Sequence, residues 1–266
     1  MRRHSDSFGT AVLAGIVSLC LGMPSLVSAN TGSRSDIGTN PNPVILPVGS
    51  SPYGLSYGEW SARWWQWAFS FTVDAHPLLE TAGCDAGQSG PVWFLGGSFV
   101  NTTVVRDCTV PAGKSIFLPV LNTECSTIES PPFFGSNEDE LRACAAAVTN
   151  TGMFATVDGV AVENLASYRV QSPLYEFSAP DGGLFGGPVS GAQSISDGVW
   201  LMIAPLSAGT HTIHFGGTQV IADFPPLTLD VTYHLTVKAG RSGGGHISSG
   251  PADVQASWGL VKQLYR

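Results

Sequence analysis

Residues with chemistry to offer are few in this 266-residue chain, and histidine is the first type to test. His211 and His214 are spaced HxxH, which on a helix would put both imidazoles on one face. The flanking text Thr210-His-Thr-Ile-His-Phe215 reads as a strand, however, and there His211, Ile213 and Phe215 point one way while Thr212 and His214 point the other. A second alternating segment, Val231 to Val237, sets Tyr233, Leu235 and Val237 on one face and Thr232, His234 and Thr236 on the opposite one. If the two strands are neighbours, His214 and His234 meet on the polar face. With a carboxylate such as Glu59 they form a candidate acid–base set for a hydrolase or lyase. Zinc or copper would require an anionic oxygen beside the imidazoles, with Asp230 or Glu176 as the available donors. Two hydrogen-bonded surface histidines are the simpler reading, and no metal or other cofactor is assigned.

Tryptophan is the second type. The segment Tyr53–Phe71, YGLSYGEWSARWWQWAFSF, holds four of the seven tryptophans. Trp60, Trp64, Trp67 and Phe71 recur at the spacing of one helix face, with Glu59, Arg63, Gln66 and Ser70 on a polar one. Trp65 lies about 100° off the stripe and is expected at its rim. Such a stripe serves either as core or as a flat apolar surface on which sugars or aromatic rings stack. The binding reading takes Trp60, Trp64 and Trp65 as the rings and Arg63, with Glu59, as the polar contacts.

Gly87-Gln-Ser-Gly-Pro91 resembles the nucleophile turn of chymotrypsin-like proteases, G-D-S-G-G-P. Gln88 stands where the family has Asp, one Gly is missing, and His76 is too close in sequence to Ser89 to come from a separate barrel. The segment reads as a Gly-Pro turn before a strand.

Residues 1–29 carry the pattern of a secretory signal peptide: Arg2 and Arg3, an apolar run from Ala11 to Met23, and a cleavage region ending Val-Ser-Ala29. The apolar run is shorter than the roughly 20 residues needed to span a bilayer, and no later run approaches that length. The expected location is therefore extracellular or periplasmic, without a transmembrane segment. Losing the leader would leave Cys84, Cys108, Cys125 and Cys144, an even number suited to an oxidising compartment. They can pair in three ways. The sequential pairing would close loops of about 20 residues, worth ~3 kcal/mol each in the chain-entropy model. The spacings lack the CxxC knuckles of a zinc site. Acidic residues outnumber basic ones by 20 to 12, so nucleic acid is not an expected partner.

The elements that must position these residues are mostly strands. Charged residues are only 12% of the chain, while it holds 32 Gly and 18 Pro, a composition of turns and apolar strands. Residues 30–51 read as an extended arm, 52–239 as a single β-sandwich domain containing the Trp helix, and 240–266 as a flexible Gly/Ser-rich tail. Ser56 and Glu59 make a capping box at the helix start, and Glu59 can pair with Arg63 at i+4. A second short helix is expected from about Glu138 to Val148, capped by Asn137. Strands are expected at Pro91–Leu95, Ser115–Leu121, Val199–Ala204, Thr210–Phe215 and Leu227–Val237. Pro111-Ala-Gly-Lys114 is a type II turn candidate. Asp158-Gly159 should make a type I′ hairpin turn between Phe154–Val157 and Val160–Val162.

The text Pro205-Leu-Ser-Ala-Gly-Thr-His-Thr-Ile-His-Phe215, followed by Val231-Thr-Tyr-His-Leu-Thr-Val237, resembles the last strands of bacterial immunoglobulin-like modules. That resemblance covers about 35 residues and implies a sandwich fold and an exported bacterial protein, not an activity. The expectation is a mainly β, antiparallel sandwich with a Trp-rich helix. It is read as a secreted noncatalytic binding or surface module for carbohydrate or another ring-bearing ligand. A secreted His/carboxylate enzyme and a purely structural envelope protein are the alternatives.

Overall fold

Strands dominate the computed structural model, which describes residues 41–238 except 43 and 223. The expected leader over residues 1–29, the Gly/Ser-rich tail and its apolar end at Trp258–Tyr265 therefore lie outside the described residues, as does the first part of the arm. In chain order the elements are α1 (Tyr57–Phe69), β1 (Val92–Phe94), β2 (Thr103–Pro111), β3 (Ser115–Ser126), α2 (Glu138–Ala146), β4 (Thr149–Val157), β5 (Val160–Ala161), β6 (Arg169–Gln171), β7 (Tyr175–Ala179), β8 (Val189–Ile203), β9 (Gly209–Val220) and β10 (Leu227–Lys238). None of the described helices is long and apolar enough to cross a membrane.

Two five-stranded sheets pack as a sandwich. The first runs β1-β3-β8-β6, with β7 also on β8, and the second runs β2-β10-β9-β4-β5. Most neighbours are antiparallel, but β1 pairs with β3 and β2 with β10 in parallel. The first sheet is covered on both faces. Its central strand β3 is buried at nearly every position, and so is β8 from Ser194 to Ile203. One face packs on the second sheet; the other carries α1, whose Trp64 ring meets Trp200 of β8 edge to face while Trp200 stacks on Phe117 of β3. The second sheet alternates burial along β10, so its outer face meets solvent.

Local signals in the sequence explain the joints. Ser56 Oγ accepts from the Glu59 amide and the Glu59 carboxylate accepts from the Ser56 amide, completing the capping box. The Asp158 and Gly159 backbones both have positive φ, as a type I′ turn between β4 and β5 requires. Gly113 at φ 83 fits the expected type II turn, but the strands it joins, β2 and β3, belong to different sheets. Asn137 caps α2 through the Glu140 amide.

Both disulfides follow the sequential pairing. Cys84–Cys108 ties the segment before β1 to β2, and Cys125–Cys144 ties β3 to α2. The arm departs from the extended reading at its end: Ile45 is fully buried in a bridge to Ile203, and the Leu46 amide donates to the Met202 carbonyl.

Candidate functional site

The aromatic helix is the natural start, and it is buried more completely than its stripe predicts. Trp60, Trp64, Trp65 and Trp67 are all under 9% exposed. Only Glu59, Arg63 and Gln66 of α1 reach solvent freely, because the helix lies between the first sheet and the 71–99 segment that wraps it. Trp65 is therefore not a rim residue, and no flat tryptophan surface is presented for a sugar. Arg63 does not build a polar wall either; its guanidinium lies over the Trp60 ring at 5.6 Å. Glu59 is held by the cap, and its hydrogen bonds with Ser56 keep its pKa below the usual carboxylate value.

The three candidates for catalysis are not brought together. His214 and His234 do share the outer face of the second sheet, where His214 sits opposite Thr232 and His234 opposite Thr212, a diagonal rather than a direct pair. His214 Nε2 bonds Asp230 Oδ1 at 2.8 Å and its ring packs on Phe154. His234 is exposed, with Asp107 of β2 beside it in register. Glu59 is on α1, across both sheets from this face. His211 points elsewhere, bonding Asp158 at 2.7 Å, which raises its pKa. No group of three metal-ligating side chains occurs among the described residues. Ser89 is an exposed turn residue, while the neighbouring Gln88 pins the turn by bonding Cys84 and Phe94 backbone groups.

His76 is instead a structural residue. It is fully buried, its Nε2 donates to the Ala68 carbonyl in the last turn of α1, and its Nδ1 accepts from the Leu78 amide. Both ring nitrogens are used by one neutral tautomer, and burial lowers the pKa to about 4.

Arg106 was not singled out by its sequence neighbourhood, yet it organises the turn after β1. Its Nη1 donates to the Gly96 and Gly97 carbonyls and to Tyr233 Oη, and its Nε and Nη2 grip the Glu80 carboxylate. Alternation in Val104-Val-Arg-Asp-Cys-Thr-Val110 does place Arg106 on the same inward face as Cys108 and Val110, which is the signal that could have found it. By holding Gly96 and Gly97, Arg106 turns the chain away from the first sheet after only three β1 residues. A Cβ at Gly96 would lie 1.8 Å from Leu78 Cδ2, so any larger residue there would have to displace the Leu78 side chain.

Because β1 covers only Ser115–Phe117 of β3, the β3 edge beyond it has no strand beside it among the described residues. A mostly apolar cleft of about 90 Å³ opens along that edge. Trp64 and Trp65 form one wall, and Ile221, Leu227 and Leu229 from the β9–β10 end line it from the second sheet. Phe133 and Phe224, half-buried and from different connections, meet edge to face at 6.0 Å in its lining. The bare edge is partly served by Gln219, whose Nε2 donates to the Asn122 carbonyl at 2.9 Å.

Few polar atoms interrupt this lining, and their bonding distinguishes them. The indole N–H groups of Trp60, Trp64 and Trp67 are spent on the Pro52, Leu95 and Ala86 carbonyls. That of Trp65 is buried without an acceptor, and Asn122 Oδ1 without a donor. A buried donor left this way costs ~1–3 kcal/mol. Glu124, 1% exposed, adds a carboxylate to the same lining and accepts from Ser194 Oγ at 3.0 Å.

No protein-family model matches the chain, and no curated protein sequence matches it significantly. Among solved structures, a cysteine protease inhibitor from Entamoeba histolytica aligns at 11% identity over 55% of this chain and 96% of its own, with a TM-score of 0.23. A solution structure of Amebosin aligns at 12% identity over 56% of this chain and 100% of its own, with a TM-score of 0.17. Similarity at that level carries no family, so any function rests on the cleft itself.

Proposed function

We propose that this chain is an exported, noncatalytic binding protein that takes the end of a ring-bearing ligand into the cleft beside Trp64 and Trp65. The observation that carries the proposal is the apolar cavity walled by Trp64 and Trp65, beside a β3 edge that has no strand next to it among the described residues. Preformed apolar concavities with a few placed polar groups are the usual form of small-molecule sites. A sugar ring presents hydroxyls around its whole edge and would need more polar partners than this lining offers, so an aromatic or alicyclic ring fits better than a glycan. The enclosed space is smaller than the ~150 Å³ that seats benzene in an engineered cavity. The ligand therefore inserts one end, and the remainder lies in the open mouth. Export is supported by the leader pattern and by two disulfides joining all four remaining cysteines.

Calorimetric titration of the disulfide-intact protein with a series of aromatic, alicyclic and glycan ligands tests the reading. Saturable binding of a ring compound is expected, and Leu227→Trp, which fills the lining from a half-buried position, should abolish it while leaving the thermal midpoint within a few degrees. Absence of binding across the series would refute the proposal and leave α1 as the core of a structural envelope protein.

A further inference from the structure

Both ring nitrogens of His211 meet oxygens that can only accept. Its side chain is 11% exposed near the start of β9, with Nδ1 at 2.7 Å from Asp158 Oδ2 and Nε2 at 2.9 Å from the Ser207 carbonyl. An ionised carboxylate and a peptide carbonyl carry no hydrogen to give, so each nitrogen has to donate. Only the doubly protonated imidazolium has two N–H groups. We propose that His211 is a pH-dependent latch: as an imidazolium it fastens the crossover between the two sheets to the β4–β5 turn, and on losing its proton it lets the crossover go.

The two oxygens belong to different parts of the sandwich. Asp158 opens the β4–β5 turn of the second sheet, where its Oδ1 also accepts from the Thr212 amide at 2.8 Å. Ser207 lies in residues 204–208, through which the chain passes from β8 in the first sheet to β9 in the second. Leu206 of that crossover is half-buried against the core. A neutral imidazole has one N–H, and Asp158 retains it, because a bond to a carboxylate is stronger than one to a carbonyl. The Nε2 lone pair then faces the Ser207 oxygen, a repulsive contact that frees the crossover.

The surroundings set the direction of the switch. The hydrogen bond from Asp158 raises the His211 pKa above 6.5, partly offset by burial and helped by the Ser207 carbonyl and the Asp158 charge. Residues 204–208 hold no charged side chain, and β10 places Leu235 opposite His211. His234 of β10 and Asp107 of β2 line the same shallow groove, but both His211 nitrogens are already engaged by Asp158 and Ser207. His214, on the same strand, bonds Asp230 on the outer face. The latch is therefore closed below pH 6.5 and opens as pH climbs through the raised value.

The test uses the disulfide-intact protein labelled with nitrogen-15. Ring-nitrogen resonances should show both His211 nitrogens protonated at pH 6 and Nδ1 alone at pH 9. Chymotrypsin cleavage after Leu206, normalised at each pH to a peptide of residues 203–210, should rise at least tenfold between those values, with no comparable rise at the other aromatic and leucine sites. In Asp158→Asn, which keeps an acceptor but removes the charge, the rise should move to lower pH. If that variant does not fold, the wild-type readouts alone decide. A bare His211 nitrogen at pH 6, or normalised cleavage constant to within about twofold, would overturn the inference and leave the proposed binding function untouched.

Discussion

Acid should unfold this protein in a window set by His76. The imidazole is fully buried, caps the last turn of α1 through Ala68 and accepts from Leu78, so protonating Nδ1 would place a new donor against an existing one. Burial lowers its pKa from 6.5 to about 4. A histidine held neutral in the folded state contributes stability that is complete above the unfolded value, declines as pH falls from 6.5 towards 4, and is gone below. The difference in proton affinity corresponds to about 3 kcal/mol at the acid end of that window, a substantial share of the 5–15 kcal/mol typical of a domain's total stability. His211 acts in the opposite sense: Asp158 raises its pKa, so its contribution is full below 6.5 and fades as pH climbs through its folded value. Urea unfolding of wild type and His76→Asn, followed by tryptophan fluorescence at several pH values between 7 and 4, separates His76 from every other titrating group. The variant is expected to be less stable at pH 7, and the gap between the two proteins should close by about 3 kcal/mol on going to pH 4. Parallel stability curves for wild type and variant would refute the reasoning.

Two further outcomes follow from side chains that hold the site's frame. Arg106→Lys should lower stability by ~2–4 kcal/mol in chemical denaturation, because an ammonium cannot serve Glu80, Tyr233 and the Gly96 and Gly97 carbonyls together; a cost below 0.5 kcal/mol would show that the guanidinium fork is dispensable. Ser56→Ala should cost ~1 kcal/mol by removing the acceptor for the Glu59 amide, read in the same assay, and should leave ring-compound binding unchanged.

Much of the fold was legible because its signals are local. The capping box at Ser56 and Glu59, the Asp158-Gly159 turn and the alternation of β9 and β10 each depend on a few neighbouring residues. What escaped depends on partners far away in sequence. The strand β2 carries Arg106 and Asp107 in its middle and looks polar until β10 covers one edge and Cys84 is bonded to Cys108. The short strands β6 and β7 hold too few residues to show a period and exist because β8 is long enough to pair with both. The run Ser-Ile-Phe-Leu-Pro-Val-Leu121 did announce a strand, and its lack of alternation already signalled burial on both faces. The site was legible only in part. Trp64 and Trp65 do line the cleft, but as buried walls, and Asn122 and Glu124 join them only because β1 stops short.

The parallel pairing of β2 with β10 has a consequence for how the chain is made. Thr103 and Asp230 lie in register across 127 residues, so the second sheet lacks its inner partner for β2 until the end of β10 has been synthesised. Closure of such a long loop is slow and brings no return before the strands meet. The N-terminal half thus emerges from the ribosome without a finished sheet to fold into. A nascent chain held open in this way remains threadable, which would suit the export proposed above, with the cysteines oxidised after passage through a membrane.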